Sequence, residues 1–149
     1  MAKVQKRATK LIISLKKSPY KERLRRLHLP TLKYGRVRGD MIEVIKIINN
    51  IYDASSVLTL PLDTSSVTTG NSFKLSNLRF YDIRKYAFVP RIINIWNSLP
   101  GFVVKVDFID IFKKRLDKYW SYQDFMFDYT AEIAGIRDRS ELTAEIDLS

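Results

Sequence analysis

The chain has no cysteine and a single histidine, His28, among its 149 residues. Without cysteine there is no disulfide framework and no thiolate metal site. With one histidine besides, zinc and haem centres lose their usual ligands, so neither a metal nor a cofactor is expected. Glycine and proline are scarce, five of each, which argues against a linker or low-complexity chain. Long apolar runs are missing as well. Stretches such as MIEVIKII fall far short of the ~18–20 residues that cross a bilayer, so no membrane partner is expected. There is no glycine-rich phosphate loop, no G-x-S-x-G elbow and no paired-carboxylate motif in a fitting context. Nothing in this chain alone points to an enzyme. The lack of disulfides suits a reducing compartment, and an intracellular site, cytoplasmic or nuclear, is expected.

What is present is a globular composition with an uneven charge. Apolar residues make up 46% and aromatics 12%, which fits one folded domain able to bury roughly two thirds of its unfolded surface. The net charge of +10 is not spread evenly. Residues 1–38 carry thirteen Lys and Arg against one acid, Glu22, whereas residues 121–149 carry seven acids against Arg137 and Arg139. A basic end and an acidic tail on one chain imply either an anionic partner or self-screening. The basic, acid-free start, MAKVQKRATKLIISLKK, also has the composition of a mitochondrial presequence.

Periodicity divides the chain into four parts. In 1–52, Val4, Ala8, Leu11 and Leu15 mark a first amphipathic helix over 3–15, with Lys3, Lys6, Arg7 and Lys10 on another face. Ser18-Pro19 stops it and starts a second helix at about 19–28, ended by Pro30. Thr31 then caps a long helix to about Asn50, whose stripe runs through Tyr34, Val37, Met41, Val44, Ile45, Ile48 and Ile51. Gly35 and Gly39, four apart, imply either a close backbone approach or a break there. Residues 53–87 are a Ser/Thr-rich loop with short extended pieces at 56–60 and 72–80. Residues 88–120 hold a helical pair: one at 88–98 lined by Phe88, Ile92, Ile95, Trp96 and Leu99, and one beginning after Asp107 with Asp110 in a capping-box-like arrangement. That last helix shows Phe108, Ile111, Phe112, Leu116 and Trp120 on one side. Residues 121–149 form an acidic tail expected to be partly disordered. The predicted fold is thus a mainly α small helical bundle, with a long loop and at most one short β-hairpin.

Several segments, taken in order, resemble one family. VQKRATKLI, SPYKERLRRLHLPTLKYGRVRGDMIEVIKIINNIYD, RIINIWNSLP and FKKRLDKYW are similar to the C-terminal, thumb and post-palm part of a non-LTR retrotransposon reverse transcriptase of the LINE or jockey-like type. The resemblance runs through residues 4–120. It implies thumb-like helices beside a primer–template duplex, as part of an RNA-directed DNA polymerase whose catalytic palm and endonuclease would lie upstream. The family's paired palm aspartates have no counterpart, since no Asp-Asp pair occurs here. The chain is therefore expected to be a non-catalytic fragment, and Gly35 stands where the family carries a bulky basic residue.

The expected activity is sequence-independent binding of a nucleic-acid backbone, RNA, DNA or hybrid, because Lys and Arg hold phosphates without reading bases. Its candidate contacts are Lys3, Lys6, Arg7, Lys10, Lys16, Lys17, Lys21, Arg23, Arg25 and Arg26. Tyr81 and Tyr86, interleaved with Arg79, Arg84 and Lys85, are candidates for base stacking. His28 reads as structural, and Trp96 and Trp120 read as core anchors. The rival expectation is an interaction remnant whose helices dock on an upstream polymerase core or self-associate. A third is that the acidic tail folds back over the basic helices and masks them.

Overall fold

The computed structural model describes residues 2–53, 55–56, 59–60, 62–63, 72–76 and 88–133. Among these the regular structure is helical, in agreement with the mainly α reading. In chain order come α1 (Ala2–Lys10), a 3-10 turn (Ile13–Leu15), α2 (Tyr20–Arg26), α3 (Leu32–Ile48), α4 (Phe88–Ser98), α5 (Gly101–Val104), α6 (Ile109–Trp120) and a second 3-10 turn (Asp124–Met126).

The core is built by α3, α4, α5 and α6. From α3 it takes Met41, Val44 and Ile45; from α4, Ile92 and Trp96, with Leu99 just beyond its end; from α5, Val103 and Val104; from α6, Phe112, Leu116 and Trp120. Each of these large side chains contributes roughly 1.5–3 kcal/mol by leaving water. The α3 stripe is the predicted one, and it fades at the helix end, where Ile48 is half-buried and Ile51 exposed. Both tryptophans are fully buried, as expected of core anchors. Trp96 donates its Nε1–H to the Phe73 carbonyl at 2.7 Å, so the indole polar atom is satisfied inside the core.

Thr31 caps α3 as predicted, its hydroxyl accepting from the Tyr34 amide at 3.1 Å. The helix runs unbroken through Gly35 and Gly39. A Cβ added at either position would meet nothing within 4 Å, so neither a break nor a close approach explains them. Both lie on the outer surface, where each costs about 1 kcal/mol against alanine.

The two helix ends on the basic side close by the same device. After α2, the Leu29 amide bonds to Leu24 O and the His28 amide to Arg25 O, with His28 at φ 50°. After α3, Ile51 bonds to Lys46 O and Asn50 to Ile47 O, with Asn50 at φ 52°. Both are left-handed Schellman caps, a position that glycine or asparagine fills more easily than histidine. His28 is therefore a structural residue at a helix end, exposed to solvent.

Four predicted details are corrected or sharpened. The capping box of α6 does not form, because the N-cap is Phe108, whose side chain has no acceptor. Phe108 and Ile111 are exposed, and Tyr119 joins Phe112, Leu116 and Trp120 on the buried side instead. Pro100-Gly101 ends α4 but also opens the short helix α5, a turn that the periodicity did not show. Of the expected extended pieces, residues 57, 58 and 77–80 lie outside the described residues, among which there is one antiparallel bridge, between Leu62 and Leu75. Leu75 is pinned instead by Asn97 of α4, which both accepts from its amide (2.8 Å) and donates to its carbonyl (2.9 Å).

The start of the acidic tail is folded. Phe125 is fully buried against Tyr34 and Trp120, with ring centres 5.2 and 5.5 Å away. The Thr31 amide and hydroxyl donate to the Met126 and Phe125 carbonyls at 2.8 and 3.1 Å. Residues 121–133 thus pack across the start of α3, and residues 134–149 lie outside the described part.

Candidate nucleic-acid interface

Helix α1 sits on the body in an unexpected orientation. Of its predicted apolar positions only Leu15, in the 3-10 turn beyond α1, is buried; Val4, Ala8 and Leu11 face outward. The face turned inward is polar. Gln5 accepts from the Tyr20 hydroxyl at 2.6 Å and donates to the Pro30 carbonyl at 3.0 Å. Thr9 is buried and bonds back to Gln5 O and Lys6 O.

That polar seam decides the fate of Arg23. It is 2% exposed, and its guanidinium donates to Thr9 Oγ1 (3.2 Å), Ser18 O (2.7 Å) and Lys6 O (3.3 Å). It also lies over the Tyr20 ring, 5.6 Å from its centre. Arg23 is committed to joining α2 to α1 and is removed from the expected phosphate contacts. Sequence pattern missed this because Arg23 shares a charge run with neighbours that point outward.

The remaining candidates fall into two groups. Lys3, Lys6, Arg7, Lys10, Lys16 and Lys17 are all exposed, and none forms an ion pair with a described residue. Lys21, Arg25 and Arg26 are paired. Lys21 Nζ lies 3.4 Å from Asp128 and 3.9 Å from Asp124. Arg25 reaches Asp124 at 3.9 Å, and Arg26 bonds to Glu22 one turn back at 3.0 Å. Each such exposed pair is worth little energetically, yet it lowers the positive potential offered to a phosphate.

Two of these three acids, Asp124 and Asp128, come from the tail. Asp128 accepts from the Thr130 hydroxyl and amide and from Lys21. These bonds hold its carboxyl below the ordinary carboxylate range, with the Thr130 hydroxyl the chief cause. The tight turn they make fixes Tyr129, whose ring centre is 6.0 Å from that of Tyr20. Burial pushes the Tyr20 phenol upward from its usual range, which Arg23 partly offsets.

On the far side of α3 the charges serve the core. Arg38 forks onto Asp117 of α6 through Nε and Nη2, the latter at 2.8 Å, and Tyr34 donates to the same carboxylate at 3.3 Å. Burial, then the Asp117 charge, pushes the Tyr34 phenol up to about 12. Glu43 and Lys46, three residues apart on α3, pair at 3.6 Å. Tyr81 and Tyr86 lie outside the described residues. Among the described residues no group of three or more His, Cys, Asp or Glu could hold a metal ion, and no helix is long and apolar enough to cross a membrane.

The arrangement can hold a polyanion along α1 and the turn after it, while α2 is partly neutralised by Asp124 and Asp128. Comparison with protein-family models, with curated proteins and with solved structures finds no match for this chain.

Proposed function

We propose that this chain is a non-catalytic helical segment of a non-LTR retrotransposon reverse transcriptase, the part after the palm, and that it grips a nucleic-acid backbone without reading sequence. The observation that carries the binding is the group of six exposed cations, Lys3, Lys6, Arg7, Lys10, Lys16 and Lys17, with no carboxylate partner among the described residues. Unneutralised Lys and Arg on one element release counterions when they meet phosphates, which is the main source of non-specific affinity. The order of the four sequence segments supports the family origin. Titration of a labelled blunt duplex or hybrid at two salt concentrations tests the activity. Binding at low salt should weaken steeply with added salt, and replacing Lys3, Lys6, Arg7 and Lys10 by alanine should flatten that dependence by ~0.9 slope units per contact on duplex DNA. No binding at low salt rejects the reading.

A second reading is favoured by one observation. Leu11 and Ile13 are 83% and 89% exposed, and Val4 is 71% exposed. Apolar groups so exposed suit docking onto an upstream polymerase core or onto a second copy. Sedimentation separates the two: a soluble monomer that binds duplex favours the first, and self-association lost on Leu11→Ser with Ile13→Ser favours the second.

A further inference from the structure

Between the start of α1, the start of α3 and the turn at 128–130 lies an open cleft of about 370 Å³. That volume is within the roughly 300–1,000 Å³ of small-ligand sites. Its walls include Gln5, Tyr20, Lys33, Arg36 and Tyr129, and among the described residues no carboxylate lines it. Two cations and two aromatic rings therefore face one space, with no carboxylate from the described residues between them.

The four groups are held to different degrees. Tyr20 is fixed: its hydroxyl is tied to Gln5 at 2.6 Å and Arg23 covers its ring. Lys33 donates to the Ala131 carbonyl at 2.9 Å, which places the ammonium without neutralising it. Arg36 is exposed and has no ion pair with a described residue. Tyr129 keeps 43% of its surface accessible, although the turn that carries it is anchored by Asp128 to Lys21 and Thr130. An exposed ring on an anchored turn beside two cations is the arrangement on which unpaired bases stack.

We propose that this cleft takes one unpaired nucleotide of a bound strand, its base against Tyr129 and its phosphate at Arg36 and Lys33. The proposal rests on the backbone-binding reading above for how the strand arrives. Ala2 and Gln5 of α1 line the cleft, so a strand held along the Lys3, Lys6 and Lys10 side leads toward it. The cleft adds a preference that the α1 cations alone cannot supply. Phosphate contacts do not distinguish a paired nucleotide from an unpaired one, whereas stacking on a side chain requires a free base face.

The test compares a blunt duplex with the same duplex carrying a short single-stranded overhang, using the full chain, Tyr129→Ala, Tyr129→Phe and Arg36→Ala. The overhang should bind roughly 5- to 150-fold more tightly than the blunt end, the range that stacking of one base supplies. Tyr129→Ala should remove that advantage and leave blunt binding unchanged, Tyr129→Phe should keep it, and Arg36→Ala should reduce it. Equal affinity for the two duplexes, or an advantage that survives Tyr129→Ala, overturns the cleft while backbone binding stands. If the blunt duplex does not bind at low salt, the backbone reading fails, and saturation transfer from the protein to the base protons of adenosine monophosphate decides the cleft alone. A signal abolished by Tyr129→Ala supports it, and no signal overturns it.

Discussion

Helices α1 and α2 are adjacent and similarly basic, yet their charges have opposite fates. On α1 and the turn beyond it, six Lys and Arg side chains reach solvent without a carboxylate partner among the described residues. On α2 one arginine is buried and the other cations are paired with Glu22, Asp124 or Asp128. Only the Arg26–Glu22 pair comes from α2's own composition. The rest arises because α2 lies between α1 and the returning tail, so Arg23 meets internal oxygens on one side while Lys21 and Arg25 meet acids on the other. A run of positive charge is therefore an interface only where the fold leaves it unanswered.

The sharpest way to test this contrast is to remove one charge from each helix. Arg23→Ala should lower the free energy of unfolding by ~1–3 kcal/mol, because it strands the oxygens of Thr9, Ser18 and Lys6 in a buried seam. Lys10→Ala should change stability by less than about 0.5 kcal/mol. Urea unfolding of both variants measures the pair, and equal effects would break the distinction.

A smaller effect is expected from freeing α2. Asp124→Asn with Asp128→Asn leaves an oxygen acceptor for Thr130 but removes the charges facing Lys21 and Arg25. The salt dependence of duplex binding should then steepen by up to about 1.8 slope units, two new phosphate contacts. An unchanged slope would show that the tail does not mask α2.

The smallest effect is on stability against pH. The Asp128 carboxyl titrates lower in the folded chain than its ordinary value of 3.8. Its contribution to stability is accordingly present above that value and is lost as pH falls through the depressed folded one. Thermal unfolding followed from neutral pH down through this window should show a loss that Asp128→Asn reduces. Lys10→Ala, on the unpaired helix, should leave that loss unaltered.

How far the sequence reached differs from element to element. The α3 stripe and the Thr31 cap were legible because a 3.6-residue period and a capping hydroxyl are local signals. The orientation of α1 was not. Its apolar residues follow the same period, but the side that packs is the one carrying Gln5 and Thr9, since those supply the acceptors that Tyr20 and Arg23 need. The folded start of the tail was also hidden. Its acidic composition reads as solvated, while its attachment depends on one aromatic, Phe125, and on two carbonyls that satisfy Thr31. Tyr129 was missed for the same reason, although the Asp128-Tyr129-Thr130 turn is a local signal that could have marked it.

The sequence by itself determined that this chain is mainly helical, that α3, α4 and α6 carry the core, and that its positive charge is concentrated before residue 39. Those properties follow from periodicity and composition, which depend on neighbours along the chain. Apart from Arg26, which pairs with Glu22 one turn away, tertiary structure decided which of the ten candidate cations remain open and that a cleft forms beside Tyr129. The closing of Lys21 and Arg25 and the cleft itself depend on residues about a hundred positions apart in sequence, as in the bond from Lys21 to Asp128, and no local pattern encodes the sign of charge that will arrive from so far away.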